Sequence, residues 1–273
     1  MKSISLEVCA SGAHPAYEED YMPARCTIGV DIGTSSSKGV LVDAEGAILA
    51  SATVAHDVQR PRTGWVEMDG RIWWDEFVQI TRELLAEAST RELDVEIAAV
   101  GVSGMGPCVL LADDADEPVR PAILYGVDTR ATAQIDRMTA ELGVDDITRV
   151  GGSTLTTQAG GPKIVWIADE EPAAYAAARR LFMPASWLAR HLTGAYVLDH
   201  QSASQVSPLY DVEREEWHAG NWARFAPGIE APRLLWAGDI AGTVTDAAAA
   251  TTGLPAGIPV IAGTIDARSA AVS

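Results

Sequence analysis

The residues with the clearest chemical potential lie in one short run near the amino end of the chain. In Asp31-Ile32-Gly33-Thr34-Ser35-Ser36-Ser37-Lys38, a carboxylate, a glycine, hydroxyls and a lysine stand between two apolar, β-branched stretches. Glycine permits a tight turn, and successive backbone amides and hydroxyls can form a concavity that binds an anion. A carboxylate at a strand end can hold Mg²⁺ through water. The candidate phosphate-binding residues are Asp31, which is also the candidate metal ligand, Gly33, Thr34, Ser35, Ser36 and Lys38.

The same run is also compatible with an ordinary hairpin loop, because Gly, Thr and Ser are common in turns. The phosphate-loop pattern GxxxxGK[ST] and the protein-kinase signatures are absent from the chain. The glycine-rich GVSGMG lacks the glycine spacing and the acidic partner of a dinucleotide-binding fold. If this loop binds phosphate, it does so between two strands.

A second carboxylate of interest lies near the carboxyl end of the chain. Asp266 closes the run Ala262-Gly263-Thr264-Ile265-Asp266, which follows the strand-like segment IPVIAG. A carboxylate at a strand-to-helix junction can accept the proton of a hydroxyl that attacks a γ-phosphoryl group. A helix N-cap is the alternative role for an aspartate there. The two motifs together, with the loop first, favour the catalytic base.

Composition limits the classes of partner. The chain has 273 residues, enough for a sizeable core, and a formal net charge of -18. Such a charge repels nucleic acid and anionic membranes, so neither is expected as a partner. Cys9, Cys26 and Cys108 show no metal or disulfide spacing, which is typical of a reduced, cytoplasmic protein. We expect Cys26 and Cys108 to be buried.

The order of predicted elements positions the two motifs. From Cys26 the chain reads strand, loop, strand, turn, strand, with a hairpin at residues 43–46, unlike the opening of a Rossmann domain. Periodicity predicts a helix over 70–90, capped by Asp69, and a second helix over 130–142. One or two further helices are predicted around Pro172, extending through the run RRLFM. A short helix ends at Gly194, and the last strand leads into the start of a helix. Residues 1–24 are interpreted as a leader or a misassigned start, with Met22 as the alternative first residue.

Six segments in order resemble the FGGY family of carbohydrate kinases, near the xylulokinases. The resemblance covers the chain from about Cys26 to Ser273, and its segments are VDIGTSSSKGVLVD, TGWVEMDGRIWWDEF, VGVSGMGPCVLLAD, ILYGVDTRA, GGPKIVWIADEEP and GTIDA. The resemblance implies an α/β fold, a ribonuclease-H-like lobe of the actin, Hsp70 and sugar-kinase superfamily, with a mixed sheet flanked by helices. Residues 25–273 would form the sugar-binding domain, and the lobe that holds most of the ATP would lie beyond the chain.

The resemblance also implies an activity and assigns roles to residues. The activity is ATP-dependent phosphorylation of a ketose or polyol, with Mg²⁺, and a homodimer is allowed. Asp266 would be the base and contact the sugar, Asp128 would bind sugar hydroxyls, and Asp31 would organise Mg²⁺ and the phosphates. The wall of the sugar pocket would be Met105, Gly106 and Pro107, which stand where xylulokinases carry Gln-Met-His. The family's Gly-Gly-x-Asp is also altered, to Gly263-Thr264-Ile265-Asp266, which keeps the acid and puts a β-branched Ile beside it.

Several interpretations stay open from the sequence alone. Arg130 is either a substrate contact or a charge in the first turn of a helix, and Lys163 either supports the sugar loop or, as we favour, is solvated. Arg268 either pairs with Asp266 or lies on a helix surface, and Trp65, Trp73 and Trp74 either stack on a sugar or pack in the core. The alternative functions are a non-catalytic sugar-binding lobe and an ATP-hydrolysing relative of actin.

Overall fold

The computed structural model describes residues 23–266. The strands are β1 (Ala24–Ile32), β2 (Ser36–Asp43), β3 (Ile48–Ala55), β4 (Glu67–Met68), β5 (Val95–Gly104), β6 (Leu110–Ala112), β7 (Ala122–Ile123), β8 (Arg180–Phe182), β9 (Val197–Asp199), β10 (Tyr210–Asp211), β11 (Glu216–Trp217), β12 (Arg233–Leu235), β13 (Ile240–Thr243), β14 (Pro259–Ile261) and β15 (Thr264–Ile265). The helices are α1 (Arg71–Thr90), α2 (Thr132–Leu142), α3 (Val144–Gly151), α4 (Gly160–Glu170), α5 (Pro172–Ala177), α6 (Pro184–Thr193), α7 (His200–Ser204), α8 (Ala219–Phe225) and α9 (Asp246–Thr252).

The first three strands form the predicted antiparallel meander. β1 pairs with β2, and β2 pairs with β3. Asp43 closes the turn between β2 and β3 by accepting hydrogen bonds from the backbone of Glu45 and Ala47, and Gly46 adopts a φ of 87°. That conformation favours glycine, so the hairpin expected at residues 43–46 is confirmed.

The other half of the central sheet is largely parallel. The strand order is β13-β14-β5-β1-β2-β3, and β15 also pairs with β5. β1, β14 and β15 each run parallel to β5, whereas β13 is antiparallel to β14. The carboxyl ends of β1, β5 and β15 therefore meet at one edge of the sheet, which is where ligands bind in open sheets of this type.

Helices α1 and α6 cover one face of this sheet. Trp73, Phe77, Ile80 and Leu84 of α1 are fully buried, at the helical spacing that the sequence predicts. Gly39 of β2 lies directly under α1, because a Cβ there would come within 2.3 Å of Ile80 Cγ2. Asp69 accepts a hydrogen bond from the backbone of Arg71, but Gly70 occupies the N-cap position of α1.

A second core lies beside the sheet, among α2, α3, α4 and α8. The run RRLFM was expected to be helical, but Arg180–Phe182 is strand β8, paired with β6. The chain leaves α5 at Ala178 in an extended conformation, and backbone pairing with β6 replaces local helical bonding. α2 lies within the helix expected at 130–142, and α6 ends at Gly194 with a left-handed φ of 76°, as expected.

The termini of the chain carry three expectations that lie outside the described residues. These are the leader, whose residues 1–22 are not described, the start of a helix after Asp266, and the pairing of Arg268. None of the helices within residues 23–266 is both long and apolar enough to cross a lipid bilayer.

Candidate active site

Three neighbouring parallel strands place the two predicted carboxylates at one edge of the sheet. Asp31 of β1 and Thr264 of β15 are each paired in register with Ser103 of β5. Ser103 Oγ donates a hydrogen bond of 2.6 Å to Asp31 Oδ1. Since adjacent strands lie roughly 4.8 Å apart, Asp31 and Thr264 are about 10 Å apart. Asp266 follows two residues beyond Thr264, at the same edge.

The phosphate loop is the three-residue connection between β1 and β2. The Gly33 amide donates to the Ser36 carbonyl at 3.1 Å, and a Cβ on residue 33 would lie only 2.7 Å from that oxygen. Glycine is therefore required for the close approach of the backbone. Ser35 is exposed, and Thr34 Oγ1 lies 3.0 Å from the Tyr125 hydroxyl. Lys38, also exposed, is the register partner of Asp31.

The predicted substrate loop lies between the phosphate loop and the segment that carries Asp266. The Met105 amide donates to the Ile32 carbonyl at the end of β1, at 2.7 Å. Gly106 faces Ile265, since a Cβ on residue 106 would lie 2.2 Å from Ile265 Cγ2. Met105 and Pro107 are buried, and the bond between Gly106 and Pro107 is cis. The predicted substrate loop thus contacts both the phosphate motif and the segment that carries Asp266.

A buried aspartate on another element holds the segment that leads to Asp266. Thr264 Oγ1 donates to Asp199 Oδ1 at 2.9 Å. The same oxygen accepts hydrogen bonds from the backbone of Gln201 and Ser202, as the N-cap of α7. Burial raises the pKa of Asp199 above its ordinary value, although these hydrogen bonds oppose the shift. Asp199 carries no local sequence signal, because its bond to Thr264 spans 65 residues.

Asp128 and Arg130 lie inside the protein rather than at its surface. Both side chains are 0% exposed, and Arg130 binds the Asp128 carboxylate at 2.7 Å and Glu67 at 2.6 Å. Asp128 also accepts hydrogen bonds from the backbone amides of Val66 and Arg130. Arg120 joins the network through Glu67 at 2.5 Å. These positions favour an internal ion-pair network, and Arg130 precedes α2 rather than lying in its first turn. Contact of Asp128 or Arg130 with a sugar stays a prediction.

Lys163 and Cys108 are buried behind the substrate loop. Lys163 is 1% exposed, and its Nζ donates to the Leu124 carbonyl at 2.8 Å, so the expectation of a solvated lysine is wrong. Burial lowers the pKa of Lys163 to about 8. Burial also raises the pKa of the Cys108 thiol to about 12, with a smaller contribution from the charge of Asp266. Cys26 and Cys108 are free and buried, as expected.

The tryptophans weighed as sugar platforms contact other protein groups. Trp73 is fully buried and donates to Met68 Sδ at 3.1 Å, and Trp74 stacks on Phe77. Trp65 packs against Trp166 and lies under the guanidinium of Arg130. All three follow the core-packing alternative.

Comparison with known proteins decides the family. Residues 26–273 match the N-terminal domain of the FGGY family of carbohydrate kinases. The chain belongs to this family. It is 33% identical over 260 residues to the xylulose kinase of Streptomyces coelicolor, covering 90% of this chain and 49% of that one. It is 34% identical over 233 residues to the glycerol kinase of Nocardia farcinica, covering 81% of this chain and 45% of that one.

Solved structures of the FGGY family show the same fold. The crystal structure of xylulose kinase from Rhodospirillum rubrum matches with a TM-score of 0.85 at 30% identity, over 91% of this chain and 50% of that one. The chain therefore spans about half the length of the relatives it matches. The predicted ribonuclease-H-like, mixed α/β class is confirmed.

The donor set at the loop of this FGGY domain suits a magnesium ion that is held mainly by phosphates. Among residues 23–266 no three His, Cys, Asp or Glu side chains are grouped as a metal site. Asp31 presents one carboxylate at the strand end, with Oδ1 bound to Ser103. Mg²⁺ commonly retains several waters and takes one or two carboxylates together with substrate phosphates. Asp31 fits that role. A groove of about 390 Å³, lined by Gly29, Asp31, Lys38, Gly101 and Ser103 among others, extends from it along the sheet.

Structure adds further residues to the site that sequence motifs did not reveal. Ser103 and Tyr125 each bind a predicted phosphate-loop residue, Asp31 and Thr34 respectively. His56 contacts the Gly33 carbonyl. Ser103 lies within the motif VGVSGMG at the end of a predicted strand, which is the signal that could have identified it. Tyr125 lies within the quoted segment ILYGVDTRA, but its contact with Thr34, 91 residues away, has no local signal. His56 lies outside the six segments.

Proposed function

We propose that this chain provides the sugar-binding side and the first phosphate loop of an ATP-dependent carbohydrate kinase. The whole protein would transfer the γ-phosphoryl group of ATP to a hydroxyl of a ketose or polyol. The observation that carries the proposal is the row Asp31–Ser103–Thr264, which puts the phosphate loop and Asp266 at one edge of three parallel strands. Membership of the FGGY family supports the reaction class.

In the proposed mechanism each element of this edge has one task. Asp266 accepts the proton of the sugar hydroxyl as it attacks the γ-phosphoryl group. The amides and hydroxyls of Gly33–Ser36, with Lys38, stabilise the phosphates. Bound Mg²⁺ would neutralise phosphate charge, and Asp31 would orient it through water. Met105, Gly106 and Pro107 would form the wall that positions the sugar.

The sugar is proposed only as a class. Relatives of this chain include proteins named xylulose kinase and glycerol kinase, so a ketose and a polyol are both supported. The Met105-Gly106-Pro107 wall presents neither an amide nor an imidazole side chain. A site with fewer polar side chains discriminates less strongly between hydroxyl patterns.

The deciding experiment is ADP release from Mg-ATP by the whole protein that carries this domain, with a panel of ketoses and polyols. We expect release that depends on one of these sugars, and loss of release in Asp266→Asn while sugar binding, measured by calorimetry, persists. Equal turnover by Asp266→Asn would contradict its role as the base. Sugar binding without any release would favour the alternative, a non-catalytic sugar-binding lobe. ATP hydrolysis independent of sugar would favour an actin-like relative.

The cellular setting is also a proposal. A cytoplasmic location suits an ATP-dependent enzyme whose described cysteines, Cys26 and Cys108, are reduced. The homodimer stays a prediction, which sedimentation of the purified chain would test.

A further inference from the structure

A buried histidine–glutamate pair lies beneath the phosphate loop, and the mechanism above does not use it. His56 follows β3, and Glu76 lies in the second turn of α1. Their side chains are 6% and 9% exposed, and His56 Nδ1 lies 2.9 Å from Glu76 Oε2. A buried ionisable pair is costly unless hydrogen bonds satisfy both groups. The partners of the two side chains therefore define their protonation.

Both ring nitrogens of His56 face acceptors. Nε2 lies 3.1 Å from the carbonyl oxygen of Gly33, which can only accept a hydrogen bond. Nδ1 lies 3.0 and 2.9 Å from the two carboxylate oxygens of Glu76. A neutral imidazole has one N–H, so the lone pair of its other nitrogen would face one of these acceptor oxygens. If Glu76 is ionised, both ring nitrogens must donate, which is the imidazolium form.

Glu76 has the surroundings of an ionised carboxylate. Ser37 Oγ donates to Glu76 Oε2 at 2.5 Å, a length typical of a hydroxyl that donates to a charged carboxylate. Ser37 is fully buried on β2, two residues beyond the last residue of the loop. With donors from Ser37 and His56, the carboxylate charge is compensated inside the protein. The proton of the pair thus belongs to His56.

His56 also binds the loop through its backbone. Its amide donates to the carbonyl of Ser35 at 3.1 Å, while its ring binds the carbonyl of Gly33. Two of the three carbonyls in the loop Gly33–Ser35 are held by this one residue. Carbonyls that are fixed in this way cannot turn toward an anion, so the amides and hydroxyls of the loop are the groups left to meet it.

We propose that His56, doubly protonated in its pair with Glu76, is a positioning residue for the phosphate loop. It holds the Gly33 and Ser35 carbonyls, while its charge is balanced by Glu76. Within the described residues, the charged side chain in contact with the ring is Glu76 of α1, whereas β2 contributes the Ser37 hydroxyl to the pair and the loop contributes carbonyls. The effect on ATP binding rests on the proposed function. The hydrogen bonds from His56 to the Gly33 and Ser35 carbonyls, called the clamp below, do not.

The protonation state is tested by nitrogen-15 NMR of the histidine rings in the whole chain. The His56 signal is assigned by its absence in His56→Gln. We expect two protonated ring nitrogens in the unmodified chain and a neutral ring in Glu76→Gln. Glu83→Gln removes an exposed carboxylate from the same helix and is the matched control. A neutral His56 ring in the unmodified chain overturns the proposal.

The positioning role is tested by amide exchange and by binding. In His56→Gln and Glu76→Gln, we expect faster exchange in a peptide spanning residues 31–37 and about 10-fold weaker Mg-ATP binding, the size of effect that follows from losing one charge-assisted hydrogen bond. Glu83→Gln changes neither. Unchanged exchange in both variants overturns the clamp. Mg-ATP binding is measured in the whole protein that carries this domain. If the unmodified whole protein binds no Mg-ATP while ring protonation and exchange behave as expected, the proposed function fails and the clamp stands.

Discussion

At the scale of single residues, aspartates have different roles: Asp31 is proposed to serve the phosphate site, and Asp128 forms an internal ion pair. Asp31 and Asp128 both follow apolar strand-like segments, and both resemble site residues of the FGGY family. Asp31 is half-buried at the edge of the sheet, whereas Asp128 is 1% exposed. The difference comes from Val66 and Glu67, which lie more than 60 residues away and complete the buried network. Residue type could be read from the sequence, but such long-range pairing could not.

Removing the Asp128 charge should therefore damage stability rather than sugar recognition. Asp128→Asn leaves Arg130 buried with Glu67 as its remaining charged partner among the described residues, and breaking a buried pair costs about 3–5 kcal/mol. Asp136→Asn, at an exposed position, should change stability by less than about 0.5 kcal/mol. Urea unfolding of both variants measures the difference. Normal stability in Asp128→Asn with loss of sugar binding would restore a direct sugar contact.

Lys163 gives a prediction on the pH dependence of stability. Its pKa in the folded chain is about 8, below the unfolded value of 10.5, because burial disfavours the charged form. Between these values the unfolded chain binds more protons, so stability rises with pH through this window, by about 3 kcal/mol in total. Lys163→Met removes that rise.

The measurement is the free energy of unfolding at pH 7 and near pH 10. The difference between the unmodified chain and Lys163→Met should shift in favour of the unmodified chain as the pH rises. Lys38→Met, at an exposed lysine, is the control, and its difference should stay constant. A constant difference for Lys163→Met would mean that Lys163 titrates as it does in the unfolded chain.

At the scale of elements, turn residues and helical periodicity predicted those helices and hairpins whose hydrogen bonds join residues close in sequence. The meander β1–β3, helix α1 and the end of α6 at Gly194 all follow turn chemistry or helical periodicity. Strand β8 was predicted as helix, because its partner β6 lies about 70 residues earlier in the chain. The row Asp31–Ser103–Thr264 likewise depends on strand order, which the resemblance implied and periodicity alone did not.

The hydrogen bond between Thr264 and Asp199 should hold the segment that leads to Asp266 in place. Thr264→Val removes the hydroxyl at nearly constant volume and leaves the backbone hydrogen bonds of Asp199 to α7 intact. We expect faster amide exchange across residues 262–266, with a loss of about 1 kcal/mol in overall stability. Thr264→Ser keeps the hydroxyl and should exchange like the unmodified chain. Equal exchange in Val and Ser variants would show that β15 is held by its pairing with β5 alone.

At the scale of the whole molecule, two hydrophobic cores share the same short strands. Along β6, Leu110 belongs to the core under the central sheet and Leu111 to the core among α2, α4 and α8. Leu181 and Phe182 of β8 divide between the cores in the same way. Alternation along a strand sends successive side chains to opposite faces, so these strands form a wall that both cores pack against. Composition predicted enough apolar residues for a large core but not this division.

Because both cores pack against β6 and β8, we expect the two cores to unfold together. Leu110→Ala and Leu111→Ala each empty one side of it, and both residues are fully buried, so each should cost about 2–5 kcal/mol. Either change weakens the pairing between β6 and β8, so each variant should unfold in one transition with a lowered midpoint. Tryptophan fluorescence and circular dichroism should give the same midpoint for each variant. Trp73 in one core and Trp166 in the other make fluorescence sensitive to both. Two separated transitions in either variant would show that the cores are independent units, and β6 would then be a boundary between domains rather than a shared wall.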